Sequence, residues 1–223
     1  MKRILSAIAV FFAAMVFAVT ASAQKPRVGV LVGFTSSNAD VSQFDASSVS
    51  LYHAGLAFNF PLGIGFAIQP QLLYQVKGAS LDEIHTVQDI GSQSMDLKVG
   101  YFELPVQVQW GPDLVAFRPY AFLEPFIGLG VNMTSDYTAN GKVLDEVSNA
   151  FKDVNMSRFE YGLGLGGGLE IWRLQLSLKY FWNFGSLSSD GHKVDSPIGR
   201  TVTEAFKDKK NFNGLTLSAA LFF

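Results

Sequence analysis

The sequence predicts an all-β fold, an eight-stranded antiparallel up-and-down transmembrane β-barrel that follows a cleaved signal peptide. Eight segments alternate apolar residues with small or polar ones, which is the period of a strand. Their connections alternate in length along the chain. The short connections are residues 61–63, 111–113 and 172–173. The long ones are residues 35–50, 79–94, 134–157 and 186–210. Short turns on one side of a membrane and long loops on the other are typical of outer-membrane barrels.

The N-terminal segment has the pattern of an export signal. Lys2 and Arg3 precede a run of apolar residues from 4 to 19, and a small-residue cleavage site ends at Ala23. A membrane anchor is the alternative, but this run is shorter than the ~20 residues that a spanning helix needs. We therefore expect residues 1–23 to be a signal peptide, cleaved between Ala23 and Gln24, and residues 24–223 to be an outer-membrane β-barrel domain.

The composition excludes several classes of protein. The 223 residues include 17 Lys and Arg, 19 Asp and Glu, and no Cys. This slightly acidic balance gives no indication of nucleic-acid binding. An exported chain without Cys has no disulfides, so its stability must come from the sheet itself. Because only helices and closed barrels satisfy every backbone group in lipid, a membrane form of residues 24–223 would be a barrel.

In the first four segments, every second residue is mainly apolar and the residues between them are mainly small or polar. The apolar positions are Val28, Val30, Val32 and Phe34; Tyr52, Ala54, Leu56, Phe58 and Phe60; Phe66, Ile68, Pro70, Leu72, Tyr74 and Val76; and Phe102, Leu104, Val106, Val108 and Trp110. The opposite face carries amides such as Gln69 and Gln107. Each segment therefore predicts a strand with one apolar face.

The last four segments continue the same pattern. Their apolar positions are Leu123, Pro125, Ile127, Leu129, Val131 and Met133; Phe159, Tyr161, Leu163, Leu165, Leu169 and Ile171; Leu174, Leu176, Leu178, Tyr180, Trp182 and Phe184; and Leu215, Leu217, Ala219, Leu221 and Phe223. The sixth segment is the clearest, because glycine occupies positions 162, 164, 166 and 168 of its other face. We expect these glycines to leave room inside a narrow barrel for Phe122, Phe126 and Phe181, so that no open pore remains.

Alternation alone does not distinguish a membrane barrel from a soluble lipocalin-like barrel. The non-apolar face has few charges, whereas a water-facing surface usually carries many. Aromatic residues collect near both strand ends, as in the interfacial girdles of membrane barrels. One predicted girdle contains Phe60, Phe66, Trp110, Trp172 and Phe223, and the other contains Tyr52, Tyr74, Phe102, Tyr161 and Trp182. We therefore expect the apolar face to contact lipid.

Six charged residues lie on the inward face by strand parity. They are Lys77, Glu103, Glu124, Glu160, Glu170 and Lys179. One interpretation is a proton or ion path or a catalytic carboxylate pair; the other is a structural charge network that replaces a hydrophobic core. We favour the structural network, whose excess of carboxylates would need Arg118 or Arg173, water, or protonation to balance it.

The histidines bear on whether the protein is an enzyme. His53 is expected to point inward near the outer rim, and His85 and His192 fall in long connections. No Ser, His and acid occur at a recognisable spacing, so we predict no catalytic residues. Three scattered His and no Cys also predict no metal site, and nothing indicates a cofactor.

Two long connections have a repeated apolar spacing. One contains Leu81, Ile84, Val87 and Ile90, and the other contains Val143, Val147 and Phe151. Either could form a short amphipathic turn over the barrel mouth, but a loop that packs on itself is the favoured interpretation. Lysines 207, 209 and 210 lie in the last connection, where they could meet lipopolysaccharide phosphates or be solvated.

Several segments resemble the PorT-like outer-membrane β-barrel family of Bacteroidota. Residues 68–78 (IQPQLLYQVKG) resemble its third strand, and residues 101–105 (YFELP) resemble its aromatic-Leu-Glu-Ile-Pro strand. The glycine-rich residues 162–170 and the aromatic C-terminus are also similar, although Gln71 stands where the family often has Glu. The resemblance implies an eight-stranded outer-membrane barrel, and some members assist secretion or gliding machinery.

These observations predict a porin-like barrel in the cell outer membrane with both termini in the periplasm. We expect a structural or interaction role in the cell envelope. One such role would be that of an accessory protein of a secretion or gliding complex. The alternatives are a small-solute passage protein and a lipid-modifying enzyme. Expected partners are outer-membrane lipids and lipopolysaccharide, the barrel-insertion machinery and a secretion-complex protein. A C-terminal assembly signal is predicted at Leu215, Leu217, Ala219, Leu221 and Phe223.

Overall fold

The computed structural model describes residues 25–39, 46–47, 49–82, 93–114, 116–139, 142–148, 158–184 and 212–223. These residues contain ten strands. In chain order they are β1 (Arg27–Ala39), β2 (Ala46–Ser47), β3 (Val49–Gly63), β4 (Phe66–Asp82), β5 (Gln93–Trp110), β6 (Arg118–Ala139), β7 (Lys142–Ser148), β8 (Phe159–Ile171), β9 (Leu174–Asn183) and β10 (Phe212–Phe222). The predicted signal peptide and its cleavage position lie outside the described residues.

Eight of the strands form one closed antiparallel barrel. Their order is β1-β3-β4-β5-β6-β8-β9-β10, and β10 pairs with β1 from Gly29↔Phe222 to Ala39↔Phe212. The short strands β2 and β7 add to β4 and β6 outside this ring. Closure leaves no unpaired edge in the barrel wall, as lipid requires. The predicted eight-stranded barrel is confirmed. No helix long and apolar enough to cross a membrane occurs in the part of the chain that the structure describes.

The short connections lie together at one end of the barrel. β8 and β9 are joined by Trp172 and Arg173, as predicted. β3 and β4 are joined at Ile64 and Gly65, slightly later than predicted, because β3 continues to Gly63. The φ angles at these turns are positive, including 53° at Ile64 and 57° at Trp172. Positive φ angles are typical of the tight hairpin turns whose twist matches that of the flanking strands.

At the opposite end the barrel wall has unequal height. β4, β5 and β6 have 17, 18 and 22 residues, whereas β9 and β10 have 10 and 11. A transmembrane strand needs only ~9–11 residues. Pairing continues through the excess length to Asp82↔Ser94 and Gln93↔Ala139, and β7 extends the sheet beyond β6. We call residues 79–82, 93–97, 135–139 and 142–148 the extended sheet.

The observed strands correct the predicted loops. Much of the predicted connections 35–50, 79–94 and 134–157 is paired strand, and Val143 and Val147 lie in β7 rather than in an amphipathic turn. In β1, residues 35–38 are polar on both faces, so apolar alternation gave no strand signal there. Residues 186–210, including the lysines near 207–210, lie outside the described residues, as do Ile84, Val87, Ile90 and Phe151.

The outer surface of the barrel is apolar. Phe34 is 69% exposed, and Leu165 and Leu217 are each 54% exposed. Aromatic rings meet at two levels, with Phe66 and Trp110 at 6.5 Å near the short turns. A second group, toward the other end, is Tyr52, Tyr74 and Phe102, whose neighbouring rings are 6.5 and 5.6 Å apart. An apolar band between aromatic girdles is the surface of a membrane barrel rather than of a soluble one.

The glycine face of β8 accommodates aromatic side chains inside the barrel. A Cβ atom on Gly166 would lie 2.6 Å from Cζ of Phe122, and one on Gly162 would clash with the ring of Phe126. Phe122, Phe126 and Phe181 are all buried. The prediction that the glycines of β8 leave room inside the barrel for these three phenylalanine rings is confirmed.

Candidate functional site in the barrel interior

A layer of amide side chains fills the cross-section of the barrel. It consists of Asn59, Gln69, Gln107, Gln109 and Gln175, all buried. Gln69 Oε1 accepts from Asn59 Nδ2 at 2.9 Å, and Gln69 Nε2 donates to Gln175 Oε1 at 3.0 Å. Gln109 Nε2 donates to Gln107 Oε1 at 2.7 Å. We call these five residues the amide layer; they bond to one another across the interior of the barrel.

A buried lysine lies beyond the amide layer, on the side away from the short turns. Lys77 is 1% exposed, and its Nζ lies 2.8 Å from Glu103 Oε1 and 3.0 Å from Glu160 Oε1. The same ammonium lies 4.5 Å from the ring centroid of Phe126 and 4.8 Å from that of Phe181. Two carboxylates and two ring faces thus replace water around this charge. We call Lys77, Glu103 and Glu160 the Lys77 cluster.

A second buried ion pair connects with the amide layer. Lys179 Nζ donates to Glu124 Oε1, and Gln107 Nε2 donates to Glu124 Oε2 at 2.7 Å. Gly164 lies against this pair, because a Cβ there would be 3.2 Å from Cδ of Lys179. Glu124 therefore has a charged partner on one oxygen and an amide partner on the other.

Glu170 is the charged centre at the short-turn end. Arg27 Nη1 donates to its Oε1 at 2.5 Å, and Arg118 Nη1 lies 3.6 Å from its Oε2. Arg118 was expected to balance inward carboxylates, but Arg173 lies over the ring of Trp172 instead. Arg27 was not among the predicted inward charges, although it shares the inward parity of Gly29 and Leu31.

His53 contacts two hydroxyl groups inside the wall. Its Nδ1 lies 3.1 Å from Thr35 Oγ1, and its Nε2 lies 2.9 Å from Ser218 Oγ. Gly33 lies between His53 and Ser218 in the strand register, and its missing side chain opens the space that the imidazole fills. Ser218 was not among the residues singled out from the sequence, because this contact depends on the register of three strands.

The hydrogen bonds of His53 differ from those of a Ser-His-Asp triad. Both ring nitrogens of His53 bond to hydroxyls, so no carboxylate orients the imidazole as in a catalytic triad. Within the described ranges, no group of three or more His, Asp or Glu is placed to hold a metal ion. The buried polar side chains of the described barrel are joined by hydrogen bonds and ion pairs.

The sequence matches the family model of the outer membrane protein beta-barrel domain over residues 22–189. The chain belongs to this family. Its localisation in the outer membrane follows from that membership together with the apolar, girdled surface.

Solved structures with similar folds have low sequence identity to this chain. The attachment invasion locus protein Ail of Yersinia pestis is 11% identical with a TM-score of 0.42, and 90% of this chain and all of that chain are covered. Neisserial surface protein A (NspA) is 12% identical with a TM-score of 0.43 over the same shares of the two chains. No curated protein matches the sequence.

The structure places the predicted site residues of this outer-membrane barrel in two regions. All six inward charges lie inside the barrel: Lys77, Glu103, Glu124, Glu160, Glu170 and Lys179. Leu215, Leu217 and Leu221 are exposed on the outer face of β10, where Ala219 is half-buried, and Phe223 is exposed directly after the strand. The structural role of the charges and the assembly role of the β10 residues stay predictions.

Proposed function

We propose that this outer-membrane barrel is a closed structural and interaction component of the cell envelope. The observation that carries the proposal is the filled interior, in which the amide layer and the buried ion pairs occupy the cross-section where a porin has water. A barrel that passes no solute contributes to the envelope through its surfaces. We further propose that the short turns and both termini face the periplasm and that the extended sheet faces outward.

The extended sheet is the element that we assign to partner binding. Its strands continue well beyond the length that a membrane span requires, and long outer segments on a rigid barrel are where such proteins usually carry function. The resemblance to the PorT-like family of Bacteroidota favours an accessory role beside a secretion or gliding complex. Lipids, lipopolysaccharide and the barrel-insertion machinery are the other expected partners, and we propose no enzymatic activity or cofactor.

The partner assignment is tested with the tagged full-length protein in native membranes. Crosslinking followed by purification should recover a specific envelope protein from the parent. A variant in which residues 136–147 are replaced by a short Gly-Ser turn should lose that protein but remain heat-modifiable on a gel. A matched control replaces Ile64 and Leu62 at the short turns by Ser and should retain it. Recovery of the same proteins with the parent and the extended-sheet variant would contradict the assignment.

Solute passage is the alternative function, and an efflux assay tests it. When the protein is reconstituted in liposomes, a trapped dye and small sugars should leave at the same rate as from protein-free vesicles. Gln69→Ala combined with Gln107→Ala should raise that efflux, because it opens the amide layer. Rapid efflux through the parent protein would establish a passage function instead.

A further inference from the structure

A separate cavity opens at the short-turn end of the barrel. Its volume is about 340 Å³. The polar residues that line it are Lys25, Arg27, Asn59, Asp113, Arg118 and Glu170. Three cations face two carboxylates, so the lining has a net positive charge. Pro61, Phe66 and Ala67 contribute apolar wall beside these groups.

The two arginine side chains of the cavity are held in fixed positions. The guanidinium of Arg27 lies 5.2 Å from the ring centroid of Phe222, and that of Arg118 lies 5.4 Å from the ring centroid of Tyr120. Glu170 lies between the two cations. Because rings and ion pairs fix both guanidinium planes, a ligand would not have to order them on binding.

Part of the positive charge remains available. Glu170 and Asn59 accept from two N–H groups of Arg27, which leaves further donors on a side chain that is 29% exposed. Lys25 is exposed and makes no ion pair with any residue in the described ranges. An incoming anion could therefore bind these groups without displacing Glu170.

We propose that this cavity binds the carboxylate of a small chain end, such as the C-terminus of a peptide. A guanidinium presents paired N–H donors that match the two oxygens of a carboxylate. The ammonium of Lys25 adds the second charge, and the apolar wall suits an aliphatic residue next to the carboxylate. The cavity volume suits one or two amino-acid residues rather than a large ligand.

Calorimetry on detergent-solubilised protein purified from outer membranes tests this proposal with three probes. The probes are N-acetyl-alanyl-alanine with a free carboxylate, the same dipeptide as its C-terminal amide, and inorganic phosphate. The acid should bind, whereas the amide should give no saturable heat and phosphate should bind more weakly than the acid. Equal binding of acid and amide, no binding of the acid, or tighter binding of phosphate would each overturn the carboxylate assignment.

Two variants with the same change of charge locate the binding site. Lys25→Gln should weaken binding of the acid about tenfold, because a charge-assisted contact is lost. Arg173→Gln removes a cation at the same end of the barrel but outside the cavity, and it should bind like the parent. Both should remain heat-modifiable. Parent-like affinity of Lys25→Gln, or an equal loss in both variants, would refute the proposed site.

Discussion

Lys77 shows how single residues stabilise the interior. Its ammonium has left water entirely and is compensated by Glu103, Glu160 and two phenylalanine rings. A buried ion pair contributes little compared with an apolar replacement of the whole group, but removing one partner leaves an uncompensated buried charge. Lys77 therefore matters for stability mainly because its removal would leave the charges of Glu103 and Glu160 buried without a cation.

Replacing this lysine tests that asymmetry. Lys77→Met should lower the free energy of unfolding by about 3–5 kcal/mol, because Glu103 and Glu160 lose their cation. The triple variant with Glu103→Gln and Glu160→Gln should recover most of the loss. Urea unfolding from lipid vesicles, followed by tryptophan fluorescence, measures both. Lys25→Met is the control at an exposed lysine, and a single variant as stable as the parent would contradict the role of the cluster.

Adjacent residues of β8 test the assignment of the two faces. Leu165 is 54% exposed on the lipid face, so Leu165→Arg should cost ~2–4 kcal/mol in the same unfolding measurement. Gly164→Ala should cost less, since the new Cβ would meet mainly the flexible Lys179 side chain. A larger loss from Gly164→Ala than from Leu165→Arg would mean that the faces are reversed.

At the scale of elements, β10 closes the barrel. Phe222 N donates to Arg173 O at 2.9 Å, and Phe223 N donates to Val28 O at 2.8 Å. Phe222 is 1% exposed and supports Arg27, whereas Phe223 is exposed on the outer face. The last two residues therefore fasten β10 to β1 and to the β8–β9 turn.

Deleting Phe222 and Phe223 should prevent stable insertion. The seam between β1 and β10 would lose its last hydrogen bonds and the inner aromatic contact, and an open edge is not tolerated in lipid. We expect the truncated protein to be degraded before it reaches the outer membrane, with its signal peptide already removed. Cell fractionation with immunoblotting measures this. Normal, heat-modifiable protein in the outer membrane would show that these residues are dispensable.

The sequence predicted the elements wherever one face of a strand meets lipid. Apolar alternation located all eight barrel strands, and strand parity identified the six inward charges. Apolar alternation did not locate the extended sheet, because strands that pair beyond the length of a membrane span need no apolar face. The contacts of His53 with Thr35 and Ser218 were also beyond reach, since they depend on strand register and on the space at Gly33.

The whole molecule has two unlike ends. One end combines the short turns, Lys25, the C-terminal Phe223 and the positively charged cavity, whereas the other continues into the extended sheet on one side only. In the proposed function the filled interior separates these two ends, and each would act in its own compartment. The orientation that we propose has the compact end in the periplasm and the extended sheet outside the cell.

Protease accessibility tests this orientation. A protease site inserted at Asn140-Gly141, between β6 and β7, should be cut in intact cells because the extended sheet would be outside. The same site inserted at Gly111-Pro112, between β5 and β6, should be cut only after the outer membrane is broken. Both insertions avoid the barrel strands, so heat-modifiability on a gel should show that each variant is folded. Cleavage at Gly111-Pro112 but not at Asn140-Gly141 in intact cells would reverse the orientation and move the carboxylate site to the cell surface.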